Sequence, residues 1–134
     1  MKKSIILTFV ILMAIPMNIF GQSYNKMWKQ LEEAKKKDLP QQVINHAQQI
    51  ADKAKKEKKF GHLMKAQMTL INTKYEVSPD SLLTTIKRLE SDLKATQDGR
   101  LRAVYATVLY HLYDWAWMDD SASIRAKEYA TIAL

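Results

Sequence analysis

A chain of 134 residues with 47% hydrophobic side chains is long enough for one folded domain and too short for several. It has no cysteine, which excludes disulfides, thiol catalysis and thiolate metal sites and leaves apolar packing to hold it together. Its net charge of +7 raises an anionic partner, and where the lysines lie decides more than their total.

The N-terminus has the layout of a secretory signal peptide. Lys2 and Lys3 precede an apolar run from Ile5 to Ile15, Pro16 breaks it, and Met17 to Gly21 ends on a small residue. The run of about 11 residues is shorter than the ~20 that a spanning helix needs. The expected cut follows Gly21, which leaves residues 22–134 as a helical domain. The protein is then exported to the periplasm or cell envelope, with membrane association only if the signal stays uncleaved.

Gly and Pro are scarce from Gln22 onward, and apolar residues recur at helical spacing. The pattern predicts an all-α fold of about six helices in three antiparallel hairpins. The first helix runs from Tyr24 to Lys37 behind Ser23, with Met27, Trp28, Leu31 and Ala34 inward. Asp38 is expected to cap the second helix, with Gln41 as its capping-box partner and Pro40 in the first turn. That helix reaches Lys58 with Val43, Ala47, Ile50, Ala51 and Ala54 on one face. Phe60-Gly61 reads as a corner before a third helix from His62 to Tyr75, with Leu63, Met64, Gln67, Leu70 and Ile71 inward.

In Val77-Ser78-Pro79-Asp80, Ser78 reads as a cap and Pro79 as the first position of a fourth helix. That helix carries Leu82, Leu83, Ile86, Leu89 and Leu93 and stops near Thr96. The fifth, from Arg100 to Met118, is apolar on two sides. One side holds Leu101, Val104, Tyr105, Val108, Leu109 and Leu112, the other Tyr110, Tyr113 and Trp117. Such a helix is central or awaits a partner. Tyr110, Tyr113 and Trp117 therefore mark the expected partner-contact surface, and exposed Tyr113 and Trp117 predict self-association. Asp119, Asp120 and Ser121 supply caps for a sixth helix. It reaches Leu134 with no stop signal, so a longer natural chain is expected.

Small or apolar residues recur at i, i+4, i+7 in the even helices, as Ala47/Ala51/Ala54, Leu82/Ile86/Leu89 and Ala126/Ala130/Ala133. The hairpin period is near that of tetratricopeptide repeats, although the repeat's residue pattern is poorly met. The expected architecture is repeat-like, tetratricopeptide-like stacking of hairpins.

No chemistry-bearing constellation emerges. The lysines at 35–37 and 53–59 sit at helix C-terminal ends, where cations are favoured. They fall at opposite tips of a hairpin, roughly 25 Å apart along the second helix, so they make no continuous phosphate-tracking stripe and no nucleic-acid partner is expected. His46, His62 and His111 have no second ligand at metal-motif spacing, and His111 reads as a buried core histidine. Glu32 and Glu33 diverge on a helix, and Asp119-Asp120 read as caps. No cofactor, metal, catalytic residue or small-molecule substrate is expected.

Several stretches together resemble the N-terminal region of large alpha-2-macroglobulin-like proteins of Bacteroidetes. They are Gln22-Ser23-Tyr24-Asn25-Lys26-Met27-Trp28-Lys29, Lys37-Asp38-Leu39-Pro40, Ala51-Asp52-Lys53-Ala54-Lys55-Lys56-Glu57-Lys58, Val77-Ser78-Pro79-Asp80-Ser81-Leu82 and Arg102-Ala103-Val104-Tyr105. The family's later regions are macroglobulin-type β-domains and, in many members, a Cys-Gly-Glu-Gln thioester that traps proteases covalently. This chain has no Cys, so no functional residue carries over. The resemblance implies the leading helical segment of an envelope protease trap, non-catalytic, contacting a protein partner or the remainder of a longer chain. The alternative is a stand-alone periplasmic tetratricopeptide-like adaptor.

Overall fold

The computed structural model describes residues 22–115 and 120–133, with the side chains of 115 and 120–124 outside the description. The expected signal segment, Trp117 and Asp119 lie outside the described residues. The described residues form six helices and no strand: α1 Tyr24–Lys36, α2 Pro40–Lys56, α3 Phe60–Val77, α4 Ser81–Ala95, α5 Gly99–Trp115 and α6 Asp120–Ala133. None of them is long and apolar enough to cross a membrane.

The apolar stripes meet in two clusters. Met27, Leu31 and Ala34 of α1, the Val43/Ala47/Ile50/Ala51/Ala54 face of α2 and Leu63, Ala66 and Leu70 of α3 form the first, joined by Val104 of α5. Ile71 of α3, Leu82, Ile86, Leu89 and Leu93 of α4, five buried apolar side chains of α5 from Tyr105 to Leu112 together with Tyr113, and Ala126 of α6 form the second. Two helices contribute to both. The two-sided character expected of α5 is also present in α3, where Leu63, Ala66 and Leu70 face α2 while Met64, Met68, Ile71 and Tyr75 pack on the second cluster. The closest helix pairs are α2 with α3 and α5 with α6, and α3 also packs directly on α5. Alanines buried in the first seam let α2 and α3 approach closely. Leu83, grouped with the inward residues of α4 by spacing, is 56% exposed, because its neighbours Leu82 and Ile86 already fill the contact.

The corners differ from the sequence reading. Ser23 caps α1 as expected, its Oγ accepting from the Lys26 amide at 3.3 Å. Asp38 does not cap α2. It takes a left-handed backbone, φ 53°, just after α1. Its amide donates to the Lys35 carbonyl and the Leu39 amide donates to the Ala34 carbonyl, the paired bonds of a Schellman ending. The same motif closes α2 at Lys58, φ 56°, with Lys58 donating to Lys55 and Lys59 to Ala54. Phe60-Gly61 is therefore the first turn of α3 and not a corner. Ser78 ends α3 instead of starting α4, and a turn through Pro79 and Asp80 leads to Ser81. Asp98 caps α5, accepting through one carboxylate oxygen from the amides of Arg100 and Leu101 at 2.9 and 3.2 Å. The Arg102 guanidinium closes the end of α4 by donating to the Leu93 and Thr96 carbonyls.

A left-handed lysine is strained where glycine is not. Lys58→Gly is expected to raise stability by about 0.5–1 kcal/mol, the relief of the Cβ contact less the added freedom of the unfolded chain. The urea midpoint should rise with an unchanged slope. The exposed Lys58–Asp98 pair, 3.7 Å apart, offsets little, and a lower midpoint would reverse that ranking.

Candidate interaction groove

Two side-chain assemblies join helices that are not chain neighbours, and they locate the open surface. The first ties α1 to α3. Tyr24 stacks on His62 with ring centroids 4.1 Å apart and planes within 5°. The Trp28 indole N–H donates to His62 Nδ1 at 3.0 Å, which places the imidazole proton of the neutral ring on Nε2. Lys65 lies over the Trp28 ring at 4.2 Å. Lys53 is buried at the same junction, 2.7 Å from Glu57 Oε1 and above the Tyr24 ring. The lysine-rich stretch is thus not wholly a solvated helix end, since Lys53 is drawn into the packing. The Lys53 ammonium and then the Tyr24 hydroxyl donate to Glu57 and hold its carboxyl below the usual range, while burial and the bond to Glu57 push the Tyr24 phenol up.

The second assembly closes α4, α5 and α6 on one another. Glu90 Oε1 accepts from the hydroxyls of Tyr113 at 2.7 Å and Tyr129 at 2.8 Å, with the two rings stacked. Arg125 donates to the Tyr113 hydroxyl at 3.1 Å. Tyr113, expected on an exposed contact surface, is only 6% exposed, because α6 folds back over that side of α5. Tyr110 is half-buried against the same cluster. The surface predicted from Tyr110, Tyr113 and Trp117 is therefore covered at Tyr113, and Trp117 lies outside the described residues.

Burial, and next the bond to Glu90, push the Tyr113 and Tyr129 phenols up. A phenol with a raised folded value contributes stability that is complete below tyrosine's ordinary value of about 10 and is lost as pH climbs past it. Ionisation of Tyr24, Tyr113 and Tyr129, followed by near-ultraviolet phenolate absorbance, should coincide with the loss of helical circular dichroism. Glu90→Gln should let Tyr113 and Tyr129 ionise at lower pH. Unchanged phenolate curves in that variant would remove Glu90 as their anchor.

The surface left open lies between α3 and α5. A groove of about 560 Å³ is lined by Met68, Asn72, Tyr75 and Glu76 of α3 and His111, Leu112 and Asp114 of α5. His111, expected in the core, is exposed here, with Tyr110 edge-on beside it. A second groove of about 320 Å³ lies on the other side of α3, against the α1–α2 corner at Lys35, Asp38, Leu39 and Pro40. Asn72 and Glu76 line both. Thr69 and Thr73 in the second wall donate back to the Lys65 and Thr69 carbonyls, which satisfies their hydroxyls within α3.

Among the described residues no three His, Asp or Glu side chains stand close enough together to hold a metal ion. No protein-family model, curated protein or solved structure matches this chain.

Spacing missed the groove because its walls are neither uniformly apolar nor charged. The available signal was in α3, where Met64, Met68, Ile71 and Tyr75 make a second stripe beside the Leu63/Ala66/Leu70 one. A helix buried on two sides leaves a third side to line a trough.

Proposed function

We propose that this chain is a non-catalytic protein-interaction segment that works outside the cytoplasm, holding another polypeptide across α3, from the α1–α2 corner to α5. The observation that carries the reading is the pair of grooves with a common wall at Asn72 and Glu76, which together touch α1, α2, α3 and α5. Two open grooves that meet at one ridge make a trough that suits a polypeptide better than a reacting small molecule, which needs an enclosing pocket. The basic and apolar N-terminal run supports export. The resemblance to alpha-2-macroglobulin-like proteins supports a place as the leading helical segment of a protease trap, with the trough seating another part of that protein. The α1–α3 and α4–α6 ties, which skip one helix each, favour the second reading of a tetratricopeptide-like adaptor.

A photo-crosslinking residue placed at Asn72, with exposed Arg88 of α4 as control, tests this in the cell envelope. An adduct at Asn72 but not at Arg88 is expected. A macroglobulin-type β-domain in the adduct favours the trap, and a separate protein favours the adaptor. Equal yields at the two positions would reject the trough as a contact surface.

A further inference from the structure

The trough carries a charge pattern that narrows its occupant. Glu76 and Asp114 rim the α3–α5 groove and Asp38 stands in its continuation. None of the three makes an ion pair among the described residues. In a chain with 21 Lys and Arg against 14 Asp and Glu, carboxylates with no cation beside them among the described residues are notable. The one lysine in the trough, Lys35, is 3.4 Å from Glu32. The trough is therefore net acidic on a net basic protein, with half-buried Met68 and Tyr75 offering apolar surface directly beside the acids.

Resting on the proposed reading, we infer that the occupant is an extended polypeptide segment carrying a lysine or arginine next to an apolar residue. The cation lies between Glu76 and Asp114, and the apolar side chain lies on Met68 and Tyr75. Asn72, on the ridge shared by both grooves, can donate to and accept from a peptide backbone. Two helix spacings of about 10 Å give a trough of roughly 20 Å, or about six extended residues. Shape decides against a compact cation as the ligand, because nothing in so small a group would use the second groove. Charge decides against an acidic segment, which would face unpaired carboxylates along its length.

Fluorescein-labelled, end-blocked hexapeptides from a positional-scanning library, titrated against the chain by anisotropy, test the inference. Peptides with Lys or Arg beside Leu, Met or Tyr should bind at least about tenfold more tightly than their Glu counterparts, and less tightly as salt is added. E76Q with D114N should reduce that preference about tenfold. Both positions are exposed, so helical circular dichroism should be unchanged. Neutral peptides that bind as well, in a way that Asn72→Trp blocks and E76Q/D114N does not alter, would overturn the charge assignment and leave the trough as a contact surface. No peptide binding that Asn72→Trp blocks would overturn both.

Discussion

Leu109→Asp should leave the chain without its helical signal in dilute buffer. Leu109 is fully buried in α5, inside the cluster built from α3, α4, α5 and α6. The substitution removes contacts typically worth about 2–5 kcal/mol. It also puts a carboxylate among Ile, Leu and Val side chains, at a further cost of several kcal/mol unless the acid is protonated. Domains of this size are stable by about 5–15 kcal/mol in total, so the sum reaches the whole. Leu83→Asp is the matched control. Leu83 lies on the adjacent helix and is 56% exposed, so its replacement should change stability by less than about 0.5 kcal/mol. The measurement is far-ultraviolet circular dichroism with urea unfolding of both variants. Equal stability of the two would mean that α5 is not central.

Leu63→Ala should lower stability by about 2–5 kcal/mol, a fall of roughly 10–20 °C in melting temperature. Leu63 is fully buried between α1, α2 and α3, and the alanines around it lie on stiff backbone that cannot close over the lost volume. The transition should remain single. Val104 of α5 sits in the α1–α3 cluster, and Met64 and Leu101 pack against both clusters, so neither unfolds alone. A melt in two steps would divide the chain into separate units and would also weaken the first prediction, which assumes that damage in one cluster takes down the other. The acid side supplies a milder check. Because Glu57 is held below the usual carboxylate range, the stability it contributes is complete at neutral pH and is lost as pH falls through its lowered value.

The helix faces were legible because a 3.6-residue period places every inward side chain without reference to neighbours. The α2 face from Val43 to Ala54 and the α5 face from Val104 to Leu112 are both as buried as spacing implies. Corners were less legible. Asp38 and Ser78 are residue types that favour helix starts, yet Asp38 follows the end of α1 and Ser78 ends α3. Cap preference is worth about 1 kcal/mol, and the packing of two helices onto one core outweighs it. Lys58 shows the same override, since a left-handed lysine carries no sequence signal for a helix ending.

The sequence by itself determined the helical class, the six helices of the described residues and the main stripe that most of them bury, because these follow from local periodicity and from the scarcity of residues that break it. The tertiary structure alone decided which stripes meet. It covered Tyr113 with α6, exposed His111, drew Lys53 beneath Tyr24, and left Met68, Asn72, Glu76 and Asp114 together along one trough. Helical spacing says which side of a helix needs company, but burial, pairing and open surface depend on the helix that arrives there, and that is fixed by the turns and by the competition among all the stripes for one another.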